Sequence, residues 1–406
     1  MIASLPPLDD AAREAVRRRA IFDCCKWDPQ VGDASALAPF PLALEPRAWD
    51  ELAGAAEALA RETLAAEAEL LARPDLHGRL GLPRELRRRV AEVPRLGATP
   101  GAARVMRFDF HPTAEGWRVS EVNSDVPGGF IESSGIARLV AAHYAGFAPA
   151  GDPTRALADA VARATAPKAL VGLVHATAYT DDRQVMAYLA KALEARGLRT
   201  CLVSPAHLRW EDGRARIACD WLDAPADLLL RFFPAEWLPE TPAACGWPHL
   251  LRGGRTPVGN PAYAILTQSK RLPLAWDALE TPLDAWRALL PETRSPRDAP
   301  APDGAWILKP ALGRVGEAIG LYGVAEPKEL RAAVRDARWH PGRWVSQRRF
   351  ESVPVETAAG AVHACVGVFT VDGRAAGAYG RVAPRPLIDG RAQDAAVLVR
   401  EGSHVV

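Results

Sequence analysis

The chain has 406 residues, of which 49% are hydrophobic and 24% are charged, and its formal net charge is +1. These proportions are typical of a globular protein with about two to four domains, and the small net charge argues against nucleic acid and membrane surfaces as partners. Because no apolar stretch is long enough to cross a bilayer and acids and prolines precede any apolar run at the N-terminus, we expect a cytoplasmic protein.

Residues 1–100 are predicted to form a helical N-terminal part. In 47–72, apolar and small side chains recur every three or four positions, which predicts one buried helix face: Trp49, Leu52, Ala56, Leu59 and Thr63. The basic run 84–89 is interpreted as the solvated side and last turn of a short helix rather than as a phosphate site.

The six cysteines are too scattered for a disulfide framework or a zinc site. Cys24 and Cys25 are adjacent and could include a nucleophile, but the nearby sequence supplies no base. Buried or incidental thiols are therefore the favoured interpretation.

Residues 101–165 are predicted to carry a β-hairpin, with a loop at 111–116. Alternation within a strand places Arg107 and Asp109 on one face, while Met106, Phe108 and Phe110 share the other. On the second strand Glu121 and Asn123 also share a face. The hairpin can therefore gather its four polar groups on one side of a sheet.

Two carboxylates and an amide carbonyl are hard oxygen ligands, which suit Mg²⁺ together with substrate phosphates. Arg107 adds a fork of donors for a phosphate or a carboxylate. The alternative is an exposed sheet face with a cross-strand ion pair, and the pattern leaves both interpretations open.

Residues 166–260 are predicted to form an α/β substrate domain. Apolar strands at 169–175, 198–203 and 227–232, with a helix at 181–196, indicate a parallel unit. Proline-rich stretches at 234–261 and 291–302 are interpreted as loops.

Residues 261–345 are predicted to contain helices and a glycine-rich lid. Lys270 lies in a predicted helix with Leu266, Leu274 and Trp276, where most lysines are simply solvated. A strand ends at Lys309 and leads into a loop with glycines at 313, 316 and 320, whose N–H groups could approach phosphate oxygens. A glycine-rich turn beside a surface lysine is the alternative.

Residues 346–406 are predicted to complete the core. A strand carries Gln347, and a hairpin at 362–381 turns at Asp372 and Gly373. Arg381 lies near the end of this hairpin, where it could neutralise charge on a transferring phosphoryl group or could be an ordinary surface arginine.

Four segments, in this order, resemble the ATP-grasp synthetase part of the glutathionylspermidine synthase family. They read MRFDF with SEVNSDVPGGFIE, AILTQSK, WILKPALGRVGEAIG, and WVSQRRF with GVFTVDGRAAGAYGR. The resemblance extends from about residue 27 to the C-terminus. It implies an α/β (α+β) ATP-grasp fold, circularly permuted because the metal strands precede the nucleotide lysines.

The resemblance also implies residue roles. Magnesium would be bound by Asp109, Glu121 and Asn123, and the transferred phosphate by Arg107 and Arg381. The ATP site would comprise Lys270, Lys309, Gly313, Gly316 and Gln347, with Gln347 beside the adenine.

The implied activity is ATP- and Mg²⁺-dependent joining of a carboxylate to an amine through an acyl phosphate. The partners would be a small-molecule or peptide carboxylate and an amine. Asp181 and Asp182 would face a polyamine, although an acidic pair at a helix start is equally well explained as an N-cap. Asn260-Pro261 departs from the Glu-Pro that family members often have before the lysine motif, and no cysteine amidase domain is expected.

Two alternatives stay open at this point. One is a peptide or natural-product ligase of the same fold with unrelated substrates. The other is a non-catalytic nucleotide-binding protein, which the complete set of metal-side and phosphate-side residues disfavours. The sequence leaves the acid, the amine and the oligomeric state open.

Overall fold

The computed structural model describes residues 2–93, 103–252, 254–299, 304–313 and 319–402, which form a mixed α/β structure with several sheets. Among these residues the α-helices are α1 (Asp10–Phe22), α2 (Pro46–Ala72), α3 (Arg84–Val90), α4 (Ala137–Ala141), α5 (Pro153–Ala164), α6 (Thr180–Glu194), α7 (Pro248–Arg252), α8 (Ile265–Gln268), α9 (Asp284–Leu289) and α10 (Pro327–Trp339). None of the described helices combines the length and apolar composition that crossing a bilayer requires.

The strands are β1 (Ile2–Ser4), β2 (Gln30–Val31), β3 (Ala34–Ser35), β4 (Leu42–Leu44), β5 (Val105–Thr113), β6 (Gly116–Asn123), β7 (Phe147–Pro149), β8 (Leu170–Val174), β9 (Arg199–Val203), β10 (Leu208–Glu211), β11 (Arg214–Cys219), β12 (Leu222–Pro225), β13 (Leu228–Arg231), β14 (Val258–Gly259), β15 (Thr293–Arg294), β16 (Trp306–Pro310), β17 (Trp344–Arg348), β18 (Val355–Thr357), β19 (Gly360–Val371), β20 (Arg374–Ala383), β21 (Gln393–Ala395) and β22 (Val397–Arg400).

An antiparallel sheet with the order β21-β20-β19-β5-β6 positions most of the site, and β18 also pairs with β19. The β19–β20 hairpin turns at Asp372 and Gly373, which have φ angles of 49° and 78°, as the sequence predicts for a two-residue turn. The predicted loop at 111–116 is wrong. Strand β5 continues to Thr113 and β6 begins at Gly116, so the hairpin connection is much tighter.

The apolar face of β5 packs against the N-terminal part. Met106, Phe108 and Phe110 are fully buried, in one core with Leu52 and Leu59 of α2. Burying each such side chain stabilises the fold by about 1.5–3 kcal/mol. Because this face is occupied by α2, the polar side chains of the hairpin must point to the opposite side of the sheet.

A parallel sheet with the order β14-β13-β8-β9 confirms the predicted α/β unit, with α6 connecting β8 to β9. The connection from β9 to β13 was not predicted. It contains the antiparallel sheet β10-β11-β12.

The N-terminal part is only partly helical. Helices α1, α2 and α3 are present, but β1 and β4 belong to a four-stranded sheet, order β1-β4-β22-β7. This sheet joins the first described strand of the chain to the last. A further small sheet has the order β15-β17-β16, in which β16 carries Lys309 and β17 carries Gln347.

A buried polar joint connects the hairpin to the parallel sheet. Asp125 follows β6 and forms an ion pair with Arg231 of β13, and both side chains are completely buried. The Asn260 amide bonds to both the N–H and the carbonyl of Val105 and to the carbonyl of Asp125. This joint fixes the end of β6 relative to the parallel sheet.

Candidate active site

A cavity of about 480 Å³ lies over the polar face of the β5–β6 hairpin. Its walls also include residues of α6, β16, β19 and β20 and the segment between α1 and β3. Arg107, Asp109, Glu121 and Asn123 all line it, because Arg107 pairs with Asn123 and Asp109 with Glu121 in the β5–β6 register.

Arg107 is held by three different groups. Its Nε and Nη2 donate to the two oxygens of Asp109 at 2.7 and 2.8 Å, and Nη1 donates to the Gly128 carbonyl at 2.6 Å. The guanidinium carbon lies 5.0 Å from the centre of the Tyr379 ring. Although burial alone would lower it, attraction to Asp109 raises the pKa of Arg107, so this group stays cationic.

The hairpin oxygens suit a magnesium ion that also takes oxygens from a substrate. Asn123 donates to Asp109 at 3.1 Å, so the amide and one carboxylate are already adjacent. Burial raises the pKa of Glu121, but attraction from Lys270 and then Lys309 outweighs burial and lowers it to about 2. Among the described residues, no group of three or more His, Cys, Asp and Glu side chains could hold a metal. Two carboxylates and an amide would suit an ion whose remaining ligands are phosphate oxygens and water.

Lys270 contacts the hairpin and the glycine-loop region together. Its Nζ lies 2.8 Å from Glu121 Oε2 and donates to the Gly313 carbonyl at 2.6 Å. The predicted helix around it is wrong. Lys270 lies between α8 and a 3-10 helix, Leu272–Ala278, and its backbone N–H donates to the Ala311 carbonyl instead of continuing a helix.

Lys309 lies on β16 and is buried. The alternative of a surface lysine beside a glycine-rich turn is therefore wrong. Its Nζ donates to Gln347 Oε1 at 2.8 Å and to the Ser120 carbonyl at 3.2 Å. Burial, reinforced by repulsion from Lys270 and opposed by Glu121, lowers the pKa of Lys309 to about 8. Gln347 is buried behind Lys309 and does not line the cavity. Gly316 lies outside the described residues.

Arg381 lies within β20, two residues before its end, and lines the cavity. Its Nη2 donates to the Asp389 carbonyl at 2.6 Å. Its Nε is buried and has no hydrogen-bond partner among the described residues. A buried donor left unsatisfied costs free energy, so this nitrogen favours an anionic ligand nearby.

Asp181 and Asp182 also line the cavity, in the first turn of α6. The N-cap interpretation is wrong, because the N-cap residue is Tyr179, whose side chain makes no capping hydrogen bond. Asp181 accepts a hydrogen bond from Gln184 at 3.2 Å. Both carboxylates thus lie near a helix N-terminus and also form part of the cavity wall.

Sequence reasoning missed a buried group beside them. The Lys26 ammonium lies 2.6 Å from Glu132 and 3.6 Å from Asp394, and Tyr379 donates to Asp394 at 2.6 Å. Burial and repulsion from Glu132 raise the pKa of Asp394 to about 6. These residues come from distant parts of the chain, and only Glu132 lies in a segment that the sequence pattern singles out.

The adjacent cysteines have a structural place. Cys24 and Cys25 are buried, and burial raises the pKa of Cys24 to about 11. A thiol in that state is a poor nucleophile at neutral pH, which agrees with the interpretation of buried, inert cysteines.

This chain is similar to known proteins at two levels, a sequence family and a solved structure. A family model described as glutathionylspermidine synthase preATP-grasp matches residues 40–395, which is most of the chain. No curated protein matches the sequence. A solved structure from Methylobacillus flagellatus KT, named as a candidate gamma-glutamylcysteine synthetase, is 14% identical with a TM-score of 0.43, covering 82% of this chain and 88% of that chain.

Proposed function

Because the chain belongs to the glutathionylspermidine synthase family, we propose that it is an ATP- and Mg²⁺-dependent ligase that joins a carboxylate to an amine. The carboxylate would be activated as an acyl phosphate, and the amine would displace phosphate to give an amide. The fold that we propose for this chemistry is a circularly permuted ATP-grasp, in which the metal hairpin precedes the nucleotide lysines. The residue divisions at 100, 165, 260 and 345 belong to the same proposal.

The single observation that supports this function most strongly is the contact between the metal-side hairpin and the phosphate-side lysines. Lys270 Nζ lies 2.8 Å from Glu121, and Lys309 reaches the carbonyl of Ser120 on the same strand. A nucleotide whose phosphates meet Lys270 and Lys309 would therefore lie beside Asp109, Glu121 and Asn123. A protein that only binds a nucleotide does not need this complete set.

The residues of the chain have distinct roles in the proposed reaction. Bound magnesium would neutralise charge on the phosphates, held by the oxygens of Asp109, Glu121 and Asn123. Lys270, Lys309 and the backbone at Gly313 would orient the phosphates, and Gln347, which is buried behind Lys309, would hold that lysine rather than touch the adenine itself. Arg107 and Arg381 stabilise charge on the transferred phosphoryl group, because phosphoryl transfer depends mainly on positioning and charge stabilisation.

The acceptor would bind beside Asp181 and Asp182, which line the same cavity. A cationic amine needs nearby carboxylates, because the protein has almost no net charge. Glutathione and spermidine are candidates through the family name, and a peptide or natural-product ligase with other substrates uses the same machinery.

The test is ADP release measured against pools of carboxylic acids and amines, followed by mass spectrometry of any product. Glu121→Gln removes one proposed metal ligand and should lower ADP release about 100-fold or more, the scale on which lost electrostatic stabilisation acts. The matched control is Glu115→Gln at the exposed tip of the same hairpin, which should behave like the original protein.

Thermal unfolding of both variants separates chemistry from folding. An unchanged ADP-release rate in a folded Glu121→Gln protein contradicts the metal role. Nucleotide binding without ADP release from any acid pool supports the non-catalytic alternative instead.

A further inference from the structure

A row of residues crosses the antiparallel sheet at the floor of the cavity. Asp109 of β5 lies opposite Glu121 of β6 and, on its other side, opposite Gly367 of β19. Gly367 in turn lies opposite Tyr379 of β20. Directly opposed residues of antiparallel strands point to the same face of a sheet, and all four residues line the cavity. Asp109 and Glu121 are proposed metal ligands, whereas Tyr379 has no assigned role in the proposed reaction.

The Arg107 guanidinium lies between Asp109 and Tyr379. Its carbon atom is 5.0 Å from the centre of the Tyr379 ring. Its bonds to Asp109 and to the Gly128 carbonyl use three of the five N–H donors, which leaves two donors without a partner among the described residues. A cation over an aromatic face is attracted to it, most strongly where water is excluded. The ring therefore supports an arginine that still has donors for a phosphate oxygen.

Two contacts hold the Tyr379 ring in place. Its hydroxyl donates to Asp394 at 2.6 Å, and burial raises the pKa of that hydroxyl well above its usual range, so it stays a donor. A Cβ atom added at Gly129 would lie 2.8 Å from the ring, so the ring packs directly against the Gly129 backbone. The preceding carbonyl, that of Gly128, accepts from Arg107. One short segment thus contacts both the ring and the guanidinium.

A buried ion-pair cluster fixes the acceptor of the hydroxyl bond. Asp394 lies 3.6 Å from the Lys26 ammonium, which lies 2.6 Å from Glu132, and the side chains of Lys26, Glu132 and Asp394 are 13%, 7% and 13% exposed. Although burial alone would lower it, attraction to Glu132 and Asp394 raises the pKa of Lys26. The proposed reaction does not use these three residues. Their contact with Tyr379 connects them to the site.

We propose that Tyr379 is a positioning residue for phosphoryl transfer, whose ring, anchored at Asp394, holds the Arg107 guanidinium where it meets the transferred phosphate. The inference rests on the proposed function, because that function assigns Arg107 to this phosphate. Tyr379 acts through Arg107 and need not touch the substrate. Removal of the ring should therefore weaken interactions with the terminal phosphate of ATP and leave the rest of nucleotide binding intact.

Calorimetric titrations in the presence of Mg²⁺ measure the dissociation constants of ADP and of the β,γ-imido analogue of ATP, which keeps the terminal phosphate. The ratio of the ADP constant to the analogue constant is the triphosphate preference. Tyr379→Leu should lower this preference about tenfold, the scale of one charge-assisted contact, while ADP affinity changes less than about threefold. Tyr379→Phe keeps the ring and loses only the bond to Asp394, so the preference should fall about threefold.

A double-mutant cycle tests whether the ring acts through Arg107. Arg107→Lys keeps a positive charge beside Asp109 but loses the planar fork, and it should itself lower the triphosphate preference about tenfold. Adding Tyr379→Leu to Arg107→Lys should cause little further loss, because the group that the ring positions is gone. Losses that add in the double variant, or an unchanged preference in Arg107→Lys, would overturn the proposal.

Tyr144→Leu is the matched control. Tyr144 is half-buried and its hydroxyl donates to the Pro6 carbonyl at 2.7 Å, but it does not line the cavity. This variant should keep the triphosphate preference of the original protein, whatever stability it loses in thermal unfolding. An unchanged preference in folded Tyr379→Leu, equal losses of ADP and analogue affinity, or equal effects of the Phe and Leu changes contradict the proposal.

Tyr379→Phe covers the case in which Tyr379→Leu does not fold. It then takes the place of the Leu variant in the cycle, where its loss of preference must be present alone and absent beside Arg107→Lys; any other result overturns the proposal. Absence of nucleotide binding by the original protein contradicts the proposed function and this inference with it. The other contradicting outcomes concern Arg107 and Tyr379 alone and leave the ligase function standing.

Discussion

At Gly367 of β19, the absence of a side chain determines where Arg107 lies. A Cβ atom there would be 2.7 Å from Arg107 Cδ and 2.8 Å from Asp109 Oδ1, both closer than van der Waals contact allows. The guanidinium lies across this strand, between Asp109 and the Tyr379 ring. A glycine on a strand that the sequence pattern assigns only to the core is therefore part of the floor of the site.

Gly367→Ala should displace the Arg107–Asp109 pair and lower ADP release about 10-fold or more, because a small misplacement of catalytic groups is costly. The overpacking should reduce the free energy of unfolding by about 1–3 kcal/mol. Gly342→Ala is the control, since a Cβ there meets no atom within 4 Å. Full activity of a folded Gly367→Ala protein would show that the position of Arg107 is not important.

Much of the residue-scale arrangement of the site could be predicted from the sequence, because it depends on alternation within single strands. Alternation along β5 and β6 places Arg107, Asp109, Glu121 and Asn123 on one face without any knowledge of the rest of the chain. The position of Lys26 could not be predicted, because its partners Glu132 and Asp394 are remote in sequence and a single buried lysine leaves no periodic pattern.

At the scale of elements, local periodicity was informative for α2 and α6 but misleading around Lys270. The spacing of Leu266, Lys270 and Leu274 fits a helix, yet Ser269 adopts an extended ψ of 124° and its hydroxyl donates to the Leu80 carbonyl. Pro273 also lacks the N–H that a continuous helix needs. Tertiary hydrogen bonds therefore outweighed a weak helical preference, and they place Lys270 against Gly313.

The first turn of α6 provides an element-scale test of the acceptor site. The double change Asp181→Asn, Asp182→Asn should raise the Michaelis constant of the amine about tenfold, equivalent to roughly 1.4 kcal/mol, and flatten its salt dependence. The constant for ATP should change little, because the proposed nucleotide contacts are Lys270 and Lys309 and not these carboxylates. Loss of favourable interaction with the helix dipole should cost no more than about 1 kcal/mol of stability.

Glu329→Gln, in the exposed first turn of α10, is the matched control for the dipole effect. It should reproduce a small stability loss without altering amine kinetics. If the double variant loses stability but keeps its amine kinetics, the two carboxylates act only on the helix.

At the scale of the whole molecule, the Asp125–Arg231 joint connects the hairpin sheet to the parallel sheet. Arg231→Met should lower the free energy of unfolding by about 3–5 kcal/mol, because it leaves Asp125 charged, buried and without its arginine. Urea denaturation measures the change. Arg255→Met is the control, since Arg255 is 59% exposed and its ion pair at 4.0 Å should contribute little.

Restoration of stability by adding Asp125→Asn to Arg231→Met would show that the uncompensated charge is the cause. An equal loss of stability in the single variant and the double variant would instead indicate that the shape of the joint matters and its charge does not. The sequence predicted both sheets but not this connection, since nothing local relates residue 125 to residue 231.

The order of strands also sets when the protein can fold during its synthesis. Strand β5 pairs with β19, Asp109 opposite Gly367, and β4 pairs with β22, Leu42 opposite Val397. At roughly 5–20 residues per second, a ribosome needs on the order of tens of seconds to make the chain between β5 and β19. Throughout that interval the apolar face of the β5–β6 hairpin can meet α2, but the edge of β5 lacks its neighbouring strand. A nascent chain therefore carries an open, pairing-competent edge until β19 emerges, and during that interval the edge favours aggregation.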